Sequence, residues 1–295
     1  MNKPEVTFQS DTFRLKRLVV KHAKDAFQSE SKINSEWQPL NYLSPPNYTE
    51  ALREYDQFIN LLERLGVETM FLPKSENTTL DSIYTRDNAV ATDSGMLICA
   101  MGKSERSTEP EHQRRYYEAL DIPVLAPLAP GACIEGGDVT WLKNNIVAVA
   151  HGYRTNAVGI TALREAVSKT AKEVIEVPLP HFRGPGDVLH LMSMISPVAD
   201  DLAVVYSPLM PVPFRNQLLD MGYKFVEVPE SEYDSLGCNI LTIEPGVVVM
   251  VDGCQETRQL LEQQGVEVHT FSGREICEKG SGGPTCLTRP LERIK

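Results

Sequence analysis

The sequence is short of several things, and each shortage closes off a class of protein. Its six cysteines are scattered, with no CxxC pair and no zinc-ligand spacing, so neither a disulfide framework nor a metal cage is expected. No apolar run reaches the roughly 18–20 residues that a membrane helix needs. Residues 1–9 mix charged and polar groups without an apolar centre, so no signal peptide is expected and a cytoplasmic location is the reading. Positive charge is scarce: 29 Lys and Arg stand against 40 Asp and Glu, a net charge of -11. Nucleic acid and anionic membrane surfaces are therefore excluded as main partners. No GxGxxG or Walker-type loop follows any apolar strand, which argues against a nucleotide cofactor.

What is present is a rhythm. Residues 50–65 place Leu52, Phe58, Ile59, Leu61 and Leu62 on one broad helical face, Gly66 stops the helix, and residues 67–72 read as a strand. Asn47 and Glu50 have the spacing of a capping box. The same helix-to-strand passage recurs at residues 116–125, 163–177, 217–228 and 256–271. Further apolar strands lie between, at 96–100, 146–150, 202–206 and 247–251. Five passages at a spacing of about 45–55 residues fall near the period of repeat architectures. Residues alone leave two α/β packings open, an open doubly wound sheet or a closed ring of repeats. With no low-complexity linker, residues 1–295 are expected to form one domain.

Four short stretches set polar groups beside apolar strands. They are Asp81-Ser82-Ile83-Tyr84-Thr85-Arg86-Asp87, Ile134-Glu135-Gly136-Gly137-Asp138, Asp187-Val188-Leu189-His190-Leu191, which reads as a histidine inside an otherwise apolar strand, and Gly282-Gly283-Pro284-Thr285-Cys286. Singly, each has a plain structural explanation: a turn, a hydrogen-bonded core histidine, a surface ion pair. Together they fit attack by a thiolate on a cationic trigonal carbon. Cys286 is the nucleophile, His190 the acid and base, and Glu135 and Asp87 the carboxylates that grip a planar, N–H-rich cation such as a guanidinium. A free Cys286 is expected to be a neutral thiol near pH 7 until the cation arrives.

In this order the four motifs resemble the guanidino-group-modifying superfamily of arginine deiminases, dimethylarginine dimethylaminohydrolases and amidinotransferases. The resemblance covers nearly the whole chain. It implies the five-bladed α/β propeller, the pentein fold with pseudo-fivefold ββαβ repeats, which agrees with the five passages. It also implies a covalent amidino-thioether on Cys286, no cofactor and no metal. Arg106 and Arg154 stand where the family binds an amino acid's carboxylate, and Asp81 where it binds the amino end. Leu43, in the loop Asn41-Tyr42-Leu43-Ser44, is a flap candidate. Met192 replaces the acid that deiminases carry two residues after the histidine, while Arg86 and the Cys286 loop are deiminase-like. The expected partner is a small guanidino amino acid, with a homodimer as an allowed assembly. The leading function is a hydrolase of arginine or Nω-methylated arginine that releases citrulline and an amine or ammonia. An amidinotransferase is a second enzyme reading, a catalytically inert propeller binding protein a third, and a cysteine peptidase, which would have no use for the acids and arginines, a fourth.

Overall fold

The structure, a computed structural model, describes residues 5–295; residues 1–4, the start of the segment read for a signal peptide, lie outside the described residues. Five small sheets repeat one plan. An antiparallel pair is followed by a helix, which returns the chain to a third strand lying parallel to the second.

The plan is plainest in the third sheet. Strands Val139–Leu142 and Ile146–His151 pair antiparallel, helix Ala157–Ala166 crosses over, and Glu173–Pro178 adds in parallel. The fourth sheet repeats it with Ile195–Ala199, Leu202–Val205 and Lys224–Glu227, and the fifth with Leu241–Glu244, Val247–Val251 and Glu267–Phe271. In the first sheet the chain's last strand, Thr288–Ile294, takes the antiparallel place beside Arg14–Val20, and helix Tyr48–Arg64 leads to the parallel strand Glu68–Phe71. The C-terminal strand thus sits between two N-terminal ones, since Val6–Thr7 pairs with its other edge. Pro290 is tolerated inside it because the register shifts just beyond, between Pro290 and Glu292.

The second sheet departs from expectation. Ala89–Thr92 and Gly95–Ile98 pair, but residues 122–125 supply only a single bridge, Met96 to Val124. Pro123 has no N–H to donate, so the ladder is limited to its carbonyl and the Leu125 N–H, both bonded to Met96. Three helices begin earlier than read: the passages from residues 116, 163 and 217 open inside Glu109–Ala119, with Pro110 in its first turn, Ala157–Ala166, capped by Asn156, and Val212–Asp220. The capping box at Asn47 is half made. Its side chain accepts the Glu50 N–H at 3.0 Å, but its own N–H goes to the Glu275 carboxylate at 2.6 Å, while Glu50 pairs with Arg53.

Helix Tyr48–Arg64 buries Ala51, Tyr55, Phe58, Ile59 and Leu62 against the strands of the first and fifth sheets, the spacing of a core-facing stripe. Leu65 caps it, and Gly66 takes the left-handed conformation (φ 76°) that releases the chain into its strand. The same face carries a buried acid, Glu54, which accepts the Glu275 and Ile276 N–H groups at 2.8 and 3.3 Å and the Ser272 hydroxyl at 3.1 Å. This packing therefore holds the turn Arg274–Glu278 that leads into the Cys286 loop. Phe58 is fully buried, with its ring centroid 4.6 Å from that of Phe271. Phe58→Ala should cost about 3–5 kcal/mol, read as a lower urea midpoint at an unchanged slope; a change under about 1 kcal/mol would contradict this packing.

Candidate active site

The four sequence motifs converge on one place. The Arg86 N–H donates to the Cys286 carbonyl at 3.2 Å, and the Thr85 hydroxyl to the Leu287 carbonyl at 3.1 Å, so the first motif is tied to the last. The Gly136 N–H donates to the Asp87 carbonyl at 2.9 Å and the Gly137 N–H to the Asp87 carboxylate at 3.1 Å, which ties in the second. The third joins through Asp138, whose carboxylate accepts the Leu191 N–H at 3.2 Å and the Thr155 hydroxyl at 2.6 Å. Here His190 differs from its reading. It is not inside a strand but ends an extended stretch and opens the short 3-10 turn Leu191–Ser193, because Asp138 and the Ser193 hydroxyl take up the local N–H groups.

Glycine is required in this junction. A Cβ on Gly137 would stand 2.4 Å from His190 Nδ1 and 2.7 Å from the Asp87 carboxylate, so only a bare backbone lets these two approach. Likewise a Cβ on Gly283 would meet the Asn239 side chain at 2.4 Å, beside the thiol.

His190 is buried, with Nε2 2.7 Å from Glu135 Oε2 and Nδ1 3.8 Å from Asp87 Oδ1. Burial works against its charged form, but Asp87, Asp138 and Glu135 outweigh it and raise its pKa to about 9. Burial likewise pushes the Glu135 carboxyl up, yet the hydrogen bond and charge of His190, with Arg154 and Arg106 nearby, bring it down to about 2. A histidinium–carboxylate pair therefore stands beside the cleft at neutral pH.

The half-buried Cys286 thiol accepts from Asn239 Nδ2 at 3.1 Å. Desolvation, then the negative charge of Asp87, push its pKa up to about 11, against the opposing hydrogen bonds of Asn239, Gly283 and Thr285. The thiol is neutral, as the sequence suggested. Asn239 also accepts from the Thr285 N–H and hydroxyl at 3.0 and 2.6 Å and so fixes the loop as well as the sulfur.

Cys286, His190, Asp87, Asp81, Arg106, Arg154 and Leu43 all line one cleft of about 440 Å³. Glu135 does not; it is fully buried behind His190, and its acceptor sites are used by the Gly102 and Lys103 N–H groups, His190 and Arg154. Asp87 bonds Arg106 and the Gly137 N–H and retains acceptor capacity, so the carboxylate that faces the cleft is Asp87. One atom from each of Asp87, Glu135 and His190 lies within 4.8 Å of the others, but with His190 protonated and the Glu135 acceptors taken, Asp87 is the member of this trio that offers lone pairs to a cation in the cleft.

The residues read for the far end behave differently from one another. Arg106 is buried and already committed, to Glu109, to Asp87 at 2.6 Å and to the carbonyls of Asp81 and Tyr84. Arg154 makes only long contacts, 3.4 Å to Glu135 and 3.4 Å to the Asp187 carbonyl, and keeps donors for a ligand. Asp81 is paired with Lys103 at 2.6 Å. Leu43 is 73% exposed at the rim, its N–H held by the Lys279 carbonyl at 2.8 Å. Lys103, Asn239 and Asp138 were not picked as site residues from the sequence. Only Asp138 carried a local signal, its place in the Gly136-Gly137 bend.

Comparison with known proteins bears on the family and the fold. The arginine deiminase family profile matches residues 77–220 and 210–293. A dimethylarginine dimethylaminohydrolase of Streptomyces coelicolor is 28% identical over 83% of this chain and 87% of its own length. An arginine deiminase of Rhodococcus erythropolis is 27% identical over 72% of this chain, but the match spans only 60% of that relative. Among solved structures, DDAH from Pseudomonas aeruginosa, a mutant complexed with citrulline, superposes with a TM-score of 0.76 at 21% identity, covering 95% of this chain and 100% of that one. The amidinotransferase SxtG from Microseira wollei gives 0.78 at 15% identity, covering 98% and 97%. These likenesses carry the five-sheet α/β fold of the pentein proteins, and the profile match extends over most of the sequence: the chain belongs to the arginine deiminase family.

Proposed function

We propose that the protein is a cysteine hydrolase of the guanidinium group, acting on arginine-type ω-guanidino acids, Nω-methylated arginine among them. The observation that carries this reading is the cleft wall itself, where a neutral thiol and an imidazolium stand with Asp87, the carboxylate that keeps acceptor capacity toward the cleft.

The chemistry follows from the charges. A guanidinium held by Asp87 brings a positive charge beside Cys286 and favours its thiolate, with the thiol proton released to solvent, since His190 already carries one. The sulfur bonds to the guanidinium carbon, and the C–N bond to the leaving amine breaks as His190 donates a proton to that nitrogen. Glu135 holds the imidazolium in place for this transfer. Water then gives a proton to the neutral imidazole and adds to the same carbon. The C–S bond breaks, which returns the thiol and leaves a ureido product.

Between methylated and unmethylated substrates, one observation favours the methylated. Met192, which stands where deiminases carry a second acid, and Val188 contribute apolar side chains to a small recess of mixed polar and apolar lining beside His190 and Cys286. A methyl group packs against those two side chains better than an unpaired N–H does.

A panel of guanidino compounds, assayed by mass spectrometry for ureido product, ammonia and methylamines, tests the reading. Turnover should disappear in Cys286→Ser, by more than about a thousandfold, with the fold intact by circular dichroism. Substantial residual activity in that variant would sink the mechanism. Without ligand, iodoacetamide should alkylate Cys286 slowly at pH 7 and faster toward pH 11, and full-speed labelling below pH 7 would refute a neutral resting thiol. Turnover should also fall as the pH passes about 9, where His190 loses the proton it donates; a plateau through pH 10 would remove His190 as the acid.

A further inference from the structure

We propose that the end of the cleft away from Cys286 is built for ω-guanidino carboxylates that lack a free α-ammonium group, because Lys103 already stands where that ammonium would bind. The inference rests on the guanidino-hydrolase reading and names the substrate class within it.

Lys103 Nζ donates to Asp81 Oδ2 at 2.6 Å and to the Leu40 carbonyl at 2.8 Å. A carboxylate and a main-chain carbonyl, both on the cleft wall, are the acceptors an α-ammonium needs, and an ammonium of the protein's own already sits against both and would repel a second. The lysine is not free to leave. Its side chain is 10% exposed, so a displaced Nζ would be a nearly buried charge without its carboxylate. Its backbone N–H is bonded to Glu135 Oε1 at 3.2 Å, which ties its position to the His190 pair.

The remaining charges point the same way. Around the cleft, Asp87 is paired with Arg106 and Asp234 with Arg183, and Asp187 is the one cleft acid without an ion pair among the described residues. Arg154 makes only contacts of 3.4 Å, and the Lys103 ammonium has three donors of which two are used. A carboxylate is therefore welcome at this end, whereas an ammonium meets Lys103 and Arg154. Hydrolysis itself is unchanged: a guanidino acid and water give the ureido acid and ammonia.

The experiment compares L-arginine with 5-guanidinopentanoate, which is arginine without its α-amine. Calorimetric binding to Cys286→Ser and kcat/KM of the wild type are both measured. The expected result is tighter binding and higher kcat/KM for 5-guanidinopentanoate, by about tenfold or more. Lys103→Ala should narrow that gap, chiefly by lowering KM for arginine. A preference for arginine in the calorimetry, or Lys103→Ala affecting both ligands equally, would overturn the inference. So would a selective loss of arginine binding in Asp187→Asn, which would place the ammonium at Asp187 instead. Absence of turnover with either compound counts against the hydrolase reading, while the binding preference still decides this one.

Discussion

The hydrogen bond between His190 and Glu135, 2.7 Å long and shut away from solvent, is the contact the site depends on. A histidinium so deeply buried survives only beside compensating charge, and three carboxylates supply it. Glu135 in turn needs the Gly102 and Lys103 N–H groups, and Asp87 needs Arg106 and the Gly137 N–H. The partners come from separate segments of the chain: Asp87, residues 102–106, the bend 135–138 and His190. The fold can be understood as the means of bringing these separate segments together without water between them. The cost is a surplus of buried charge in the resting protein, and a cationic substrate suits the negative wall that results.

The same frame explains why Cys286 is quiet at rest. Burial first, and then the negative charge of Asp87 near the sulfur, raise its pKa, and that same charge would attract a guanidinium. On the proposed function, binding a cation there offsets the Asp87 contribution, so that activation and recognition become one event. A protein with a permanently ionised thiol would react with many electrophiles; the proposal makes this thiol selective for a charged, planar one.

Much of this was legible in the sequence. Helix stripes ending in Gly66 and Gly265, followed by β-branched runs, announced the repeated unit because glycine stop signals and apolar periodicity are local. The four motifs announced which segments would meet at the cleft because each packs its polar residues into a few positions. What failed was also local in cause. Pro123 reduced an expected strand to a bridge, and the Asp138 carboxylate drew the Leu191 N–H out of any ladder, so His190 heads a turn. Asn239 and Lys103 were invisible for a different reason. Each acts through partners far along the chain, Cys286 in one case and Leu40 in the other, and no spacing encodes such a meeting. Nor could residue type say that Arg106 would be spent on Glu109 and Asp87.

If Cys286 bonds covalently to the ω-carbon and His190 is the acid that expels the amine, a His190→Gly variant should still form an adduct from an analogue whose leaving group departs without a proton. Intact-protein and peptide mass spectrometry of that variant, quenched in acid after mixing with the ω-S-methylisothiourea analogues of arginine and of 5-guanidinopentanoate, reads this. The expected result is an added mass equal to the analogue minus methanethiol, carried on the peptide containing Cys286. Unmodified protein with both analogues, or a ligand-derived mass on any of the other five cysteines, would contradict it.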